Sequence, residues 1–110
     1  MDASPYRLVQ MLFEGALERI AQAKGAMQQG QIERKGVLIN KASSIIGGLQ
    51  GSLEEAGDGE LTANLDNLYD YMIRRLSQAN LKNDSSMLDE VSALLLEIKD
   101  AWDKIADKVQ

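Results

Sequence analysis

Carboxylates one helical turn apart can hold a divalent cation or divide acid and base work between them. The chain has two such pairs, Glu14 with Glu18 and Asp66 with Asp70. Neither has the company that such chemistry needs. The 110 residues include no histidine and no cysteine. That removes the commonest general base and transition-metal ligand, and with them any thiolate nucleophile or disulfide frame. A zinc site is close to excluded, and a di-iron bundle would lack its Glu-x-x-His pairs. There is no phosphate-cradling loop, dinucleotide glycine motif or serine elbow. Arg74-Arg75 is a basic pair, but Asp70 stands four residues before Arg74, the spacing of a surface ion pair. These residues predict no enzyme, no metal and no cofactor.

Charge and length narrow the class. Seventeen acids against twelve bases give a net charge of −5, which argues against a nucleic-acid surface. One proline is too few for a loop-rich all-β domain, and 45 % hydrophobic residues are too many for a disordered chain. No apolar run approaches the roughly 20 residues of a membrane span, so no membrane insertion is expected. Met1-Asp2-Ala3 offers no basic stretch leading into an apolar core, so no signal peptide is expected. A cysteine-free chain suits the cytoplasm. The length predicts one domain over 1–110.

Four periodic segments must position whatever the surface does. At about 100° per residue, Val9, Leu12, Phe13, Ala16, Leu17, Ile20, Ala23 and Met27 share a face of the first. Leu38, Ala42, Ile45, Leu49, Leu53 and Ala56 share a face of the second. Leu61, Leu65, Leu68, Met72, Leu76 and Ala79 do so in the third, and Leu88, Val91, Leu94, Leu95, Ile98, Trp102, Ile105 and Val109 in the fourth. Ser4-Pro5 reads as N-cap and first helical residue, Gly30 as a left-handed stop, and Gly57-Asp58-Gly59 as a break. Asn83-Asp84-Ser85-Ser86 supplies several caps. The helices should span roughly 5–28, 31–56, 60–81 and 85–108, each about 33–39 Å long at 1.5 Å per residue. Short connections make neighbours antiparallel. The expected fold is all-α, an antiparallel up-down-up-down four-helix bundle. Leu17, Ile20, Leu38, Ile45, Leu49, Leu65, Leu68, Met72, Val91, Leu95, Ile98 and Trp102 should be nearly all buried.

The second helix carries more than a core stripe. Ile32, Ile39 and Ile46 add a row that widens its apolar arc to about 140°, and Gly36, Ser43 and Gly47 beside it are small. Gly47, Gly48 and Gly51 lie within the helix, where each costs about 1 kcal/mol against alanine. Either these residues pack inside the bundle, or they let another helix lie close. Tyr69 and Ile73 continue the row on the third helix, as core-boundary residues or as a groove wall. Tyr71 lies on the other side of that stripe. Leu8 and Met11 face away from the core of the first helix, as scattered surface apolars or as a second docking spot. The expected partner-binding residues are Ile32, Gly36, Ile39, Ser43, Ile46, Gly47, Tyr69, Ile73, Leu8 and Met11. Full burial of Ile39, Ile46 and Ile73 within one bundle would remove the motive for that row.

Particular strings go further. Ala3-Ser4-Pro5-Tyr6-Arg7-Leu8-Val9-Gln10-Met11-Leu12, followed by Glu14-Gly15-Ala16-Leu17, resembles the opening of the flagellar export chaperone FliS family. Lys35-Gly36 with Ile39, Lys41-Ala42 and Ile45-Ile46-Gly47-Gly48-Leu49 resemble it too. So do Asn64-Leu65-Asp66-Asn67-Leu68-Tyr69-Asp70-Tyr71-Met72 through Arg75-Leu76, Ala79-Asn80, and the stretch from Leu88-Asp89-Glu90-Val91 to Ala101-Trp102. The resemblance implies a cytoplasmic chaperone that binds the C-terminal segment of flagellin, prevents premature polymerisation and escorts it to the flagellar type III export apparatus. Members of the family usually carry a further segment before the Ser-Pro, often with a tyrosine, which can cover part of the flagellin-binding surface. Where it is missing, the resemblance implies exposed apolar surface and self-association. Two rival readings are a helical adaptor for another flagellar regulator, such as an anti-sigma factor, and a self-assembling structural bundle. A ferritin-like metal carrier is a third, disfavoured by the absence of histidine.

Overall fold

The computed structural model describes the backbone of residues 4–55 and 60–109, and the side chains of 4–52 and 63–104. Four helices follow one another: α1 Pro5–Gln28, α2 Ile32–Glu55, α3 Glu60–Lys82 and α4 Ser85–Val109. The ends are set locally. Ser4 accepts a bond from the Arg7 amide at 3.1 Å, with Pro5 opening α1. At the other end Gly30 takes φ 72°. The Gln31 amide returns to the Ala26 carbonyl and the Gly30 amide to that of Met27, the paired bonds of a left-handed helix stop. Helix α3 ends the same way, with Asn83 at φ 54° and the Asp84 amide on the Ala79 carbonyl. Asp84 then caps α4, accepting from the Ser86 amide at 2.9 Å and its hydroxyl at 2.6 Å. Those two bonds hold the Asp84 carboxyl below its ordinary range. The expected break at Gly57–Gly59 lies outside the described residues.

Each helix packs on its neighbour in sequence, and α4 closes the ring on α1. Polar clasps give the register. Gln10 donates to Asp103 and Lys24 to Asp89, so α1 and α4 run in opposite directions. Lys35 reaches Asn80 while Gln50 reaches Asp66 and Asp70, which makes α2 and α3 antiparallel. This is the expected bundle. Helices α1 and α2 approach closely where Gly15 meets the Ile45 methyl, 3.5 Å from where a Cβ would stand, and where Gly48 faces Leu12.

Seams α3–α4 and α2–α3 are held by carboxylates. Glu90 accepts from the Tyr71 hydroxyl at 2.5 Å and from the Arg75 guanidinium at 2.8 Å. These bonds keep the Glu90 carboxyl below its ordinary value, and the same bond pushes the Tyr71 hydroxyl up. A carboxyl whose folded pKa lies below its unfolded one adds stability that is present above the unfolded value. That stability is lost as the pH falls through the folded value. Glu90→Gln is therefore expected to melt below wild type at neutral pH. The gap should narrow once the pH drops below about 4. Thermal melts across pH check this; a gap that stays constant down to acid would assign the effect to shape rather than charge.

The core departs from the expected one in phase. Ile20, Leu38, Leu49, Met72, Val91 and Leu95 are buried as expected, but Leu17, Ile45, Leu65, Leu68, Ile98 and Trp102 are only partly buried. Ile39, Ile46 and Tyr69, expected as partner-binding residues with core packing as the alternative, are deep in the core and so are not on the surface that a partner meets. A helix in a ring of four faces two neighbours, so its apolar arc must serve two seams. On α2, Leu38 and Ile45 serve the α1 side and Ile39 and Ile46 the α3 side. The extra width is largely core, and the centre of the buried face is turned toward α3. Leu53, Ala56, Leu61, Ile105 and Val109 lie outside the residues whose side chains are described.

Candidate functional site

The bundle packs unevenly along its axis. Where α1 and α3 end and α2 and α4 begin, Met27, Leu38, Leu76 and Leu88 are all buried. At the opposite end the helices leave an apolar cavity of about 530 Å³, walled by Tyr6, Leu12, Leu65, Tyr69, Ile98 and Trp102, with Leu8 also on its lining. Trp102 stacks on Tyr6, ring centroids 5.3 Å apart, and its indole N–H donates to the Tyr6 carbonyl at 3.0 Å. Tyr69 is 3 % exposed, and burial pushes its hydroxyl pKa up to about 12. At neutral pH that hydroxyl keeps its proton, so it can donate a hydrogen bond but cannot serve as a base.

The sequence-derived row divides into buried and open parts. Ile32 is 74 % exposed. Gly36 and Ser43 are half-buried and Gly47 is exposed. Gly36 faces the Asn80 amide, whereas a Cβ at Gly47 or Gly51 would meet nothing within 4 Å. A Cβ at Gly48 would make only ordinary contact with Leu12, while Gly47 and Gly51 cost helix stability with no return among the described residues. Ile73 is half-buried, and the α2–α3 register sets it opposite Ser43. Ile32, Gly36, Ser43, Gly47 and Ile73 thus share the outer face of α2 and α3, with Ile39, Ile46 and Tyr69 beneath it. Leu8 and Met11, each about half exposed, lie apart on α1, Leu8 against the cavity.

The acid pairs have structural work. The Gln50 amide donates to Asp66 at 3.3 Å and to Asp70 at 2.8 Å. Glu14 pairs with Arg7 and Glu18 with Arg19. Among the described residues no three acids gather into a metal-binding group. The expected Asp70–Arg74 pair is replaced: Asp70 is taken by Gln50, and Arg75 is the arginine that is paired, to Glu90. A residue four positions away on the same helix is one choice for a polar side chain, and a residue on a facing helix is another.

Two features escaped the sequence reading. Val37 and Leu81 are exposed apolar residues, Leu81 at 83 %; both sit outside the rows that periodicity marks. Lys35 is buried, its ammonium donating to the Asn80 carbonyl at 3.1 Å and to Asn83 Oδ1 at 3.0 Å. Its place at the edge of the apolar arc was the one available signal.

The arrangement is one of apolar surface, small residues and structural clasps. No helix among the described residues is long and apolar enough to cross a membrane. Comparison with known proteins agrees with the family resemblance. The family model for the flagellar protein FliS matches residues 1–109. The chain is 60 % identical over 105 residues to the flagellar secretion chaperone FliSB of Pseudomonas aeruginosa, covering 96 % of this chain and 83 % of that one. It is 46 % identical over 109 residues to the flagellar secretion chaperone FliS of Salmonella typhimurium, covering 98 % and 81 %. To that of Bacillus subtilis it is 42 % identical over 100 residues, covering 91 % and 74 %. A secretion chaperone has a non-enzymatic role, and this chain belongs to the FliS family of flagellar proteins.

Proposed function

We infer that this protein is a cytoplasmic chaperone for flagellin. It binds flagellin's C-terminal segment, keeps the subunit from polymerising early and delivers it to the flagellar type III export apparatus. The observation that carries this reading is the outer face of α2. Ile32 stands exposed at one end of it, and a Cβ at Gly47 or Gly51 would meet nothing within 4 Å. An amphipathic client helix laid along that face would use the glycines for close approach and cover Ile32 and Ile73. Recognition of this kind reads apolar anchors at helical spacing. Leu8 and Met11 supply a second contact, beside the cavity.

Calorimetric titration with a peptide of the flagellin C-terminal segment tests the reading. Saturable one-to-one binding is expected, with a negative heat-capacity change and a gain of helicity, as a disordered peptide folds onto apolar surface. The lone tryptophan, Trp102, reports through its fluorescence whether the cavity takes part. A folded protein that takes up no peptide overturns the reading.

A further inference from the structure

One charged side chain among the described residues is buried, and it lacks a countercharge. Lys35 is 6 % exposed. Its ammonium has three protons to donate. Its partners are the neutral Asn80 carbonyl and Asn83 amide oxygens, and no described carboxylate lies within ion-pair distance. Burying a charge is expensive unless it is paired. Two neutral acceptors offset part of that cost and leave one N–H over. The ammonium sits where the α1–α2 turn meets the end of α3, in a pocket of about 280 Å³ that Gly30, Ile32, Asn80 and Leu81 also line. Ile32 and Leu81 on that lining are the most exposed large apolar residues described. The pocket is therefore an uncompensated cation flanked by apolar surface, and it continues the α2–α3 face through Ile32 and Gly36.

We propose that Lys35 receives an acidic side chain of the client helix, an Asp or Glu with apolar residues one turn away on each side that cover Ile32 and Leu81. The inference rests on the client reading above and adds the chemistry of one contact to it. Residues three or four apart share a helix face, so one helix can present a carboxylate between two apolar side chains. The carboxylate supplies the missing countercharge, and its bond to the third N–H is charge-assisted. The client helix is thereby fixed in register and direction along α2.

The probe is the same flagellin C-terminal peptide, together with variants in which each Asp or Glu is replaced singly by its amide. Lys35→Met keeps most of the aliphatic stem and removes the charge. Folded Lys35→Met is expected to bind the peptide at least tenfold more weakly. One amide variant of the peptide should lose the same factor against wild type and lose nothing further against Lys35→Met. Because Lys35 also ties two turns together, Leu81→Asp is measured beside it. Leu81 is exposed, so the fold should hold, and a new carboxylate at the pocket should repel the client at least tenfold. A lowered melting temperature with affinity unchanged in both variants would make Lys35 a structural clasp and overturn the proposal. Equal binding of every amide variant to wild type would do the same. No binding of any peptide to wild type would overturn the client reading, and this inference with it.

Discussion

Replacing Ile46 with aspartate is expected to unfold the protein. Ile46 is fully buried in the core. Truncating such a residue to alanine costs about 2–5 kcal/mol, from lost transfer energy and the cavity left behind. Aspartate adds a carboxyl where no polar partner waits. Either the charge is buried unpaired or the group takes up a proton, and both routes cost several kcal/mol more. A domain of this size has a total stability of about 5–15 kcal/mol. The sum reaches that range, so loss of the cooperative urea transition and of much of the far-ultraviolet helical signal is expected. Ile46→Ala should remain folded with a transition shifted to lower urea. Ile39→Asp should behave as Ile46→Asp does, since Ile39 is buried on the same α3 side. An Ile46→Asp protein with native helicity and melting temperature would put Ile46 on the surface, and the buried seam between α2 and α3 would be wrong.

Replacing Ile32 with aspartate is expected to do the opposite: leave the fold alone and impair binding. Ile32 opens α2 and is 74 % exposed, so little apolar burial is lost. A carboxylate in the first turn of a helix is favourable, because the unpaired amides there carry partial positive charge. The melting temperature should stay level or rise slightly. Affinity for the flagellin peptide should fall at least tenfold, which is about 1.4 kcal/mol, as a charge takes the place of an apolar anchor. Calorimetry with Ile32→Asp and Ile32→Ala side by side separates lost contact from added repulsion, since alanine removes only the contact. Unchanged affinity in a folded Ile32→Asp protein would move the client off this end of α2, and would leave the cavity beside Leu8 and Trp102 as the place to look.

The two substitutions differ because isoleucines of one row have opposite surroundings. Ile32, Ile39 and Ile46 recur every seven residues and look alike in the sequence. The sequence by itself determined where helices stop, since a stop is local chemistry. The Ser4 hydroxyl, the Pro5 ring, the left-handed Gly30 and the Asp84 carboxylate each act within a few residues of where they stand. It determined the bundle as well, because period 3.6 and short connections leave few other solutions. It also excluded catalysis by histidine or cysteine, since missing side chains cannot be supplied by folding.

The tertiary structure decided the rest. A helical wheel gives the width of an apolar arc but not which flank meets a neighbour. That depends on where α1 and α3 sit: α1 meets α2 at Gly15 and Gly48, and α3 meets it at Gly36. So Ile39, Ile46 and Tyr69 went inward and Ile32 did not. Asp70 chose Gln50 on a facing helix over Arg74 on its own. Lys35 found its acceptors 45 and 48 residues away in sequence. Burial and pairing are properties of surfaces brought together by the whole chain, and local sequence carries no term for the partner that is distant along it.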